Sequence, residues 1–214
     1  MDFDNRNLND RIYYYIRDLI VTNQLKPGSR IQYNEFIKTL GVSRTPLRDA
    51  INRLQRDGLV EVKARSGTFV SVPKRKDIVE IYDLRKALEV LALELAFDKI
   101  TPELLERMLA EANEAEKAID SGDPKPFFKA DRSFHRTIIN LSDNQRLIEM
   151  MDTLEIQIEW FSVIITKNFT RPKQANEKHR RIIDAIYKRD LEQAKRQMAE
   201  HIEEIKNFWL ADFN

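Results

Sequence analysis

The chain has 214 residues, 42% of them hydrophobic, which is enough for two domains that each build an apolar core. It contains no cysteine, so disulfides are excluded and any bound metal must have nitrogen and oxygen ligands. No stretch approaches the roughly 20 apolar residues of a transmembrane helix, and the acidic, polar start MDFDNRNLND is unlike a secretory signal. We therefore expect a cytoplasmic protein with no membrane partner.

Charge is distributed unevenly along the chain, although the net charge is only +1. Residues 1–76 contain 15 Lys and Arg against 8 Asp and Glu, whereas residues 77–214 contain 21 against 27. A basic part suits a polyanionic partner, and an acidic part suits a cation or protein contacts. The sequence predicts a first domain over 1–72, a linker over 73–76 and a second domain over 77–214.

The first domain has the element order of a winged helix-turn-helix motif. Apolar residues recur at helical spacing in three segments, and two short segments alternate apolar and polar residues. Gly41 ends the second helix, Ser43 is a favourable N-cap for the third, and Gly67 lies in the turn between the strands. In chain order the predicted elements are helices over 8–23, 33–40 and from 44 onward, and strands over 60–63 and 68–72.

The start of the third helix carries the side chains that we expect to contact DNA. Its apolar residues form one stripe, so Arg44, Thr45 and Arg48 project from the opposite face. Arginines one turn apart can contact guanine edges or phosphates in one groove. Isolated arginines on a surface helix are often merely solvated, but the cap, the hairpin and Pro46 in the first turn together favour DNA contact.

The second domain shows helical periodicity throughout, with no strand pattern of any length. Short connections between its helices favour an antiparallel bundle of six to seven helices. The chain is therefore predicted to be mainly α, with a winged helix-turn-helix followed by a helical bundle. The predicted helices of the bundle cover 77–97, 102–120, 123–141, 144–167, 172–189 and 191–210.

All three histidines of the chain lie on hydrophobic faces of predicted helices in the second domain. Asp131 precedes His135 by four residues, so the carboxylate and the imidazole share one helix face. His179 and His201 supply two more imidazoles from separate helices. Together the four side chains suit zinc, nickel, manganese or iron, and spacing alone does not choose among these metals.

Several interpretations of this pattern remain open at the level of sequence. A single histidine on an apolar face is more often a core residue satisfied by hydrogen bonds than a metal ligand. A metal held there could sense an effector, could staple the helices together, or could activate water as in a metalloenzyme. The absence of an HExxH motif and of an evident general base argues against the enzyme.

Four runs of the first domain form a recognisable pattern: LKPGSRI at 25–31, LGVSRTPLRDA at 40–50, DGLV at 57–60 and GTFV at 67–70. With these runs the domain resembles the GntR family of bacterial transcription regulators. The resemblance implies DNA contacts by Arg44, Thr45 and Arg48, with Gly67 at the tip of the wing. Ser43, which caps the third helix, completes the set of DNA-binding candidates.

The second domain resembles the FadR-type effector-binding domain, the FCD domain, in its metal-binding variety. The resemblance implies that Arg85 contacts an effector, since a guanidinium can clamp a carboxylate. An ion pair between Arg85 and Glu89, four residues later, is the competing interpretation. The metal ligands that the resemblance implies, with zinc or nickel favoured, are Asp131, His135, His179 and His201.

These patterns predict a ligand-responsive transcription regulator, not an enzyme. One recognition helix contacts too few base pairs for specificity, so we expect a homodimer on a roughly palindromic DNA operator. The expected effector is a small organic acid that binds at or near the metal.

Overall fold

The structure, a computed structural model, describes residues 7–123, 125–165 and 171–213. Within these residues, none of the helices combines the length and apolar character that a membrane span requires. The contacts within the chain divide it into two compact units. The first unit comprises Met1–Lys74 and Thr153–Ile165, and the second comprises Arg75–Asp152 and Thr166–Asn214.

The first unit contains three helices and a two-stranded sheet. The strands are antiparallel, with Val60 opposite Val70 and Lys63 opposite Gly67. This order confirms the prediction of a winged helix-turn-helix. The elements are α1 (Leu8–Val21), α2 (Tyr33–Leu40), α3 (Arg44–Arg56), β1 (Val60–Lys63) and β2 (Gly67–Val70).

The core of the first unit forms where α1 packs against α3. The predicted stripe of α3, Leu47, Ile51 and Leu54, is completely buried. Gly41 has a φ of +64° and ends α2 in the left-handed conformation, which glycine adopts without steric cost. Because α3 buries one face in this core, its opposite face remains available to solvent.

The second unit is helical. Helix α4 packs against α6 and α9, and α8 packs against α5 and α9. The predicted mainly α fold class, with a winged helix-turn-helix followed by a helical bundle, is confirmed, with six α-helices from residue 75 onward in the described part of the chain. These are α4 (Arg75–Ala96), α5 (Pro102–Asp120), α6 (Lys125–Leu141), α7 (Gln145–Ile165), α8 (Arg171–Tyr187) and α9 (Leu191–Asp212), and a 3-10 turn (Phe97–Lys99) follows α4.

Local capping explains where several of these helices begin. The Thr101 side chain accepts a hydrogen bond from the backbone N of Leu104 at 3.3 Å, and Pro102 occupies the first turn of α5. The Asp190 carboxylate accepts a hydrogen bond from the backbone N of Gln193 at 3.0 Å at the start of α9. Both starts agree with the predicted positions.

Besides shifts of a few residues at the ends of other elements, the structure differs from the sequence expectation in the start of α4 and in the grouping of α7. Helix α4 begins at Arg75, inside the segment 73–76 that was predicted as a linker. Residues 153–165, the C-terminal part of α7, group with the first unit, where Gln157 donates a hydrogen bond to the backbone O of Asp57 at 2.7 Å. No pattern in the sequence indicated that grouping, because it depends on contacts about 100 residues apart along the chain.

Candidate functional site

The exposed side of the first unit gathers the predicted DNA-binding residues. Ser43, Arg44, Thr45 and Arg48 are all exposed at the start of α3, while Leu47 between them is buried. Ser43 has the extended backbone of an N-cap, but its side chain makes no capping hydrogen bond. The side chain of Ser43 therefore does not cap α3, although the sequence predicts that it would.

Helix α2 adds to this surface Asn34, which stands where the best-studied branch of the resembled family has an arginine, so that the sequence left its contact with DNA open. Asn34 is exposed, and its Oδ1 lies 3.5 Å from an Nη atom of Arg44. The contact places the amide of Asn34 beside the guanidinium of Arg44 on the surface that α3 presents. Residues of α2 and α3 can therefore meet the same groove.

Two further arginines, Arg30 and Arg65, lie in or beside the wing. Gly67 has a φ of +123°, and a Cβ at this position would lie 3.1 Å from Nε of Arg30. Arg30 is exposed and pairs across a backbone bridge with Phe69 of β2, and Arg65 is exposed in the turn. A side chain at Gly67 would require the guanidinium of Arg30 to shift by a few tenths of an ångström, and the positive φ would strain any residue other than glycine. No periodic signal marks Arg30 in the sequence, since it lies outside any helix or strand.

In the second unit, three helices bring the four predicted metal ligands together. Asp131 and His135 lie on α6, His179 on α8 and His201 on α9, and their ligand atoms all lie within 4.8 Å of one another. The Nε2 atom of His201 is 3.1 Å from those of His135 and His179, which are 3.3 Å apart. The three imidazole nitrogens therefore converge on one point.

The carboxylate completes one side of this cluster. The Oδ1 atom of Asp131 is 3.3 Å from Nε2 of His179 and 3.7 Å from Nε2 of His135. The side chain of Asp131 is 27% exposed, whereas those of His135 and His179 are only 5% and 3% exposed. Asp131 therefore stands between the buried imidazoles and the solvent.

Burial disfavours the protonated form of two of these imidazoles. Burial lowers the pKa of His179 to about 3, against the opposing influence of Asp131. Burial, together with His179 and His135, lowers the pKa of His201 well below its ordinary value. Neutral imidazole is the form that ligates metals, because its unprotonated nitrogen carries a lone pair.

The donor set fits a transition metal. Metal–nitrogen distances of about 2.0–2.1 Å place neighbouring nitrogens ~2.9–3.4 Å apart for octahedral or tetrahedral coordination, and the Nε2 separations of 3.1 and 3.3 Å lie in that range. Where the three Nε2 atoms carry lone pairs, as metal ligation requires, no hydrogen bond can join them. Within the described residues, Nδ1 of His201 is also buried without a hydrogen-bond partner. A cation at the point of convergence satisfies the three Nε2 atoms together.

A small cavity reaches this cluster from the side of α5. Its volume is about 10 Å³, which is close to the space that one water molecule needs. Asn176, which lines it, donates a hydrogen bond through Nδ2 to the backbone O of Ala112 at 2.8 Å. The lining residues include Glu111, Ala112, Phe134, Asn176 and His179.

Arg85 lies in the protein interior, in contact with Glu89. Its Nε donates a hydrogen bond to Oε1 of Glu89 at 2.6 Å, and both residues are buried. The structure thus contains the ion pair that the sequence offered as one of two interpretations, and the contact of Arg85 with an effector stays a prediction. Although burial opposes ionisation, Arg85 and His135 lower the pKa of Glu89 to about 2, so Glu89 is a carboxylate.

A winged helix with exposed arginines on its third helix, together with a helical unit that buries a histidine and carboxylate cluster, defines a DNA-binding transcription regulator. The chain belongs to the GntR family. Residues 8–70 match the family of bacterial regulatory proteins named gntR, and residues 80–204 match the FCD domain. This combination of domains is that of the FadR-type subfamily.

Relatives of similar length support this assignment. The chain is 30% identical to the HTH-type transcriptional regulator YdhC of Bacillus subtilis (strain 168), over 89% of this chain and 86% of that protein. It is 24% identical to the HTH-type transcriptional repressor RspR of Escherichia coli (strain K12), over 92% of this chain and 87% of that protein. These relatives are regulators of transcription, not enzymes.

Solved structures share the fold. The structure of McbR/YncC from E. coli matches with a TM-score of 0.78 and 22% identity, covering 98% of this chain and all (100%) of that one. A structure described as the metal-free FCD domain of TM0439 matches with a TM-score of 0.57 and 24% identity, covering 66% of this chain and 97% of that one. Both support the helical architecture assigned above.

Proposed function

We propose that this GntR-family regulator binds a divalent transition metal through Asp131, His135, His179 and His201, and that a small carboxylate effector binds at or near this metal to alter operator binding. The observation that carries the proposal is the convergence of three buried Nε2 atoms, each within 3.3 Å of the others. Zinc or nickel suits a set of three imidazoles and one carboxylate.

The metal supplies a positive charge and, where coordination positions stay open, a place for a carboxylate oxygen. The cavity beside His179 has a volume of only about 10 Å³, so a carboxylate larger than water binds there only if the cavity walls move. Such a movement gives the effector different contacts in two states of the protein. A difference of this kind is what coupling to DNA binding requires.

A purely structural metal is the alternative. The ligands come from α6, α8 and α9, so an ion would join three helices even if no effector ever reached it. Both alternatives share the same ligands and differ only in whether DNA affinity responds to a small molecule. Measurements of DNA affinity with and without candidate acids separate them.

DNA recognition is tested first by replacing the exposed arginines of α3. Arg44→Ala and Arg48→Ala should each weaken operator binding by about 1–3 kcal/mol if the lost contact is to a base. The measurement is fluorescence anisotropy with a duplex that the wild-type protein has selected from a random pool. Arg196→Ala, which removes an exposed arginine of α9, is the matched control. Wild-type affinity in both α3 variants would remove this surface from the proposal.

Metal binding is tested by removing imidazoles from separate helices. His179→Ala and His201→Ala should lose most bound zinc after equilibrium dialysis, because each removes one of three converging nitrogens. Metal content is measured by elemental analysis. Glu200→Gln is the control, since Glu200 precedes His201 but is exposed. Full retention of zinc by both histidine variants contradicts the site.

Effector coupling is tested by measuring operator affinity with a panel of small carboxylates. A true effector should change DNA affinity by a factor of about 5–150, and DNA should change effector affinity by the same factor. Protein stripped of metal by a chelator should bind DNA but no longer respond to the acid. If no acid changes DNA affinity while zinc raises the unfolding temperature, the metal is structural.

The homodimer has a candidate surface on α4. Leu84, Leu91 and Leu95 are 49%, 42% and 40% exposed, and their spacing places them along one side of the helix. A second copy of the chain would cover this stripe with the same residues, as a two-fold interface requires. We propose that this face of α4 forms the dimer that reads a palindromic operator.

The dimer surface is tested by placing a charge within the stripe. Leu91→Glu should convert a dimer into a monomer in sedimentation velocity, because it buries a carboxylate in an apolar contact. Tyr187→Glu, at a position that is 68% exposed on α8, serves as the control and should leave the dimer intact. Identical sedimentation of the two variants would exclude this face.

A further inference from the structure

Glu89 connects two buried residues on different helices. Its Oε1 atom accepts a hydrogen bond from Nε of Arg85 at 2.6 Å, and its Oε2 atom contacts Nδ1 of His135. The side chains are 7%, 2% and 5% exposed for Arg85, Glu89 and His135. A continuous series of polar contacts thus runs from Arg85 on α4 to His135 on α6.

The contact between Glu89 and His135 selects one tautomer of His135. A carboxylate has no proton to donate, so the contact between Oε2 and Nδ1 requires the imidazole nitrogen to be the donor. With the proton on Nδ1, the lone pair of a neutral His135 lies on Nε2. That atom is the one that faces His201 at 3.1 Å and His179 at 3.3 Å.

A role confined to helix stability does not account for the geometry. An ion pair between residues four apart on one helix needs only one carboxylate oxygen, yet the second oxygen of Glu89 crosses to α6. Buried ion pairs are also poor stabilisers, because desolvation offsets their attraction. Glu89 therefore makes a connection that an apolar residue of similar size could not make.

We infer that Glu89 is a positioning residue for the metal site: through its hydrogen bond with Nδ1 of His135 it fixes the ring so that Nε2 points at the metal, while Arg85 holds Glu89 in place. The inference rests on the proposed metal site. Carboxylates that hold the far nitrogen of a ligating imidazole orient the ring and raise its basicity. Arg85 thereby acts on the metal site indirectly, through Glu89 and His135.

The experiment compares Glu89→Gln with Glu94→Gln, which makes the same change on the same helix at a carboxylate that pairs with Lys195. Zinc affinity is measured by competition with a chromophoric chelator. We expect Glu89→Gln to weaken zinc binding roughly 10–100-fold and Glu94→Gln to leave it unchanged. Because Glu89→Gln leaves Arg85 buried without its partner, the double variant Arg85→Met with Glu89→Gln, which removes both charges, should show the same loss.

A spectroscopic readout separates positioning from stability. Long-range ¹H–¹⁵N correlation spectra of the zinc-loaded wild type should show His135 protonated at Nδ1 and coordinated through Nε2. Coordination of His135 through Nδ1 in the wild type would overturn the inference directly, as would wild-type zinc affinity in both Glu89 variants while His179→Ala binds weakly. If the wild type itself binds no zinc, nickel, manganese or iron, the proposed metal site fails first and the role of Glu89 fails with it.

Discussion

The second unit depends on the convergence of three buried imidazoles in its interior. Their Nε2 atoms lie 3.1 to 3.3 Å apart, and Asp131 closes the side nearest the solvent. Lone pairs that point at one another repel, and burial lowers the pKa values of His179 and His201, so these two rings do not relieve the repulsion by taking up protons. A cation would convert that repulsion into coordination. The donor set that α6, α8 and α9 bring together therefore fits the metal that we propose.

The buried charges around the cluster follow from the same constraint. Arg85 and Glu89 lie in the interior, where an unpaired charge would be strongly destabilising. Their mutual ion pair offsets part of that penalty, and the remaining oxygen of Glu89 is directed to His135. A charged pair that would otherwise be a poor stabiliser thereby acquires a specific role, which is to determine which nitrogen of one imidazole faces the cluster.

In the first unit, the burial of one face of α3 determines which side chains are exposed. Leu47, Ile51 and Leu54 bury one face of α3 completely, so the polar face must point outward. Arg44 and Arg48 remain exposed on that face, and their long side chains can reach phosphates or base edges. The buried face thus holds α3 in place, while the flexible arginine side chains lie on its exposed face. This division suits a surface that must meet DNA in a fixed orientation.

The sequence by itself determined the periodic and local features. Helix α2 was predicted over 33–40 and lies at Tyr33–Leu40, because hydrophobic spacing and the stop at Gly41 are encoded within a few residues. The i, i+4 spacing of Asp131 and His135 and the apolar faces of the other histidines also indicated the cluster, with the family resemblance naming its members. Only the tertiary structure brought Glu89 to His135, 46 residues away, and placed Asn34 beside Arg44. Periodicity shows which face of a helix is buried, whereas the residues that meet across helices are decided by how those faces pack.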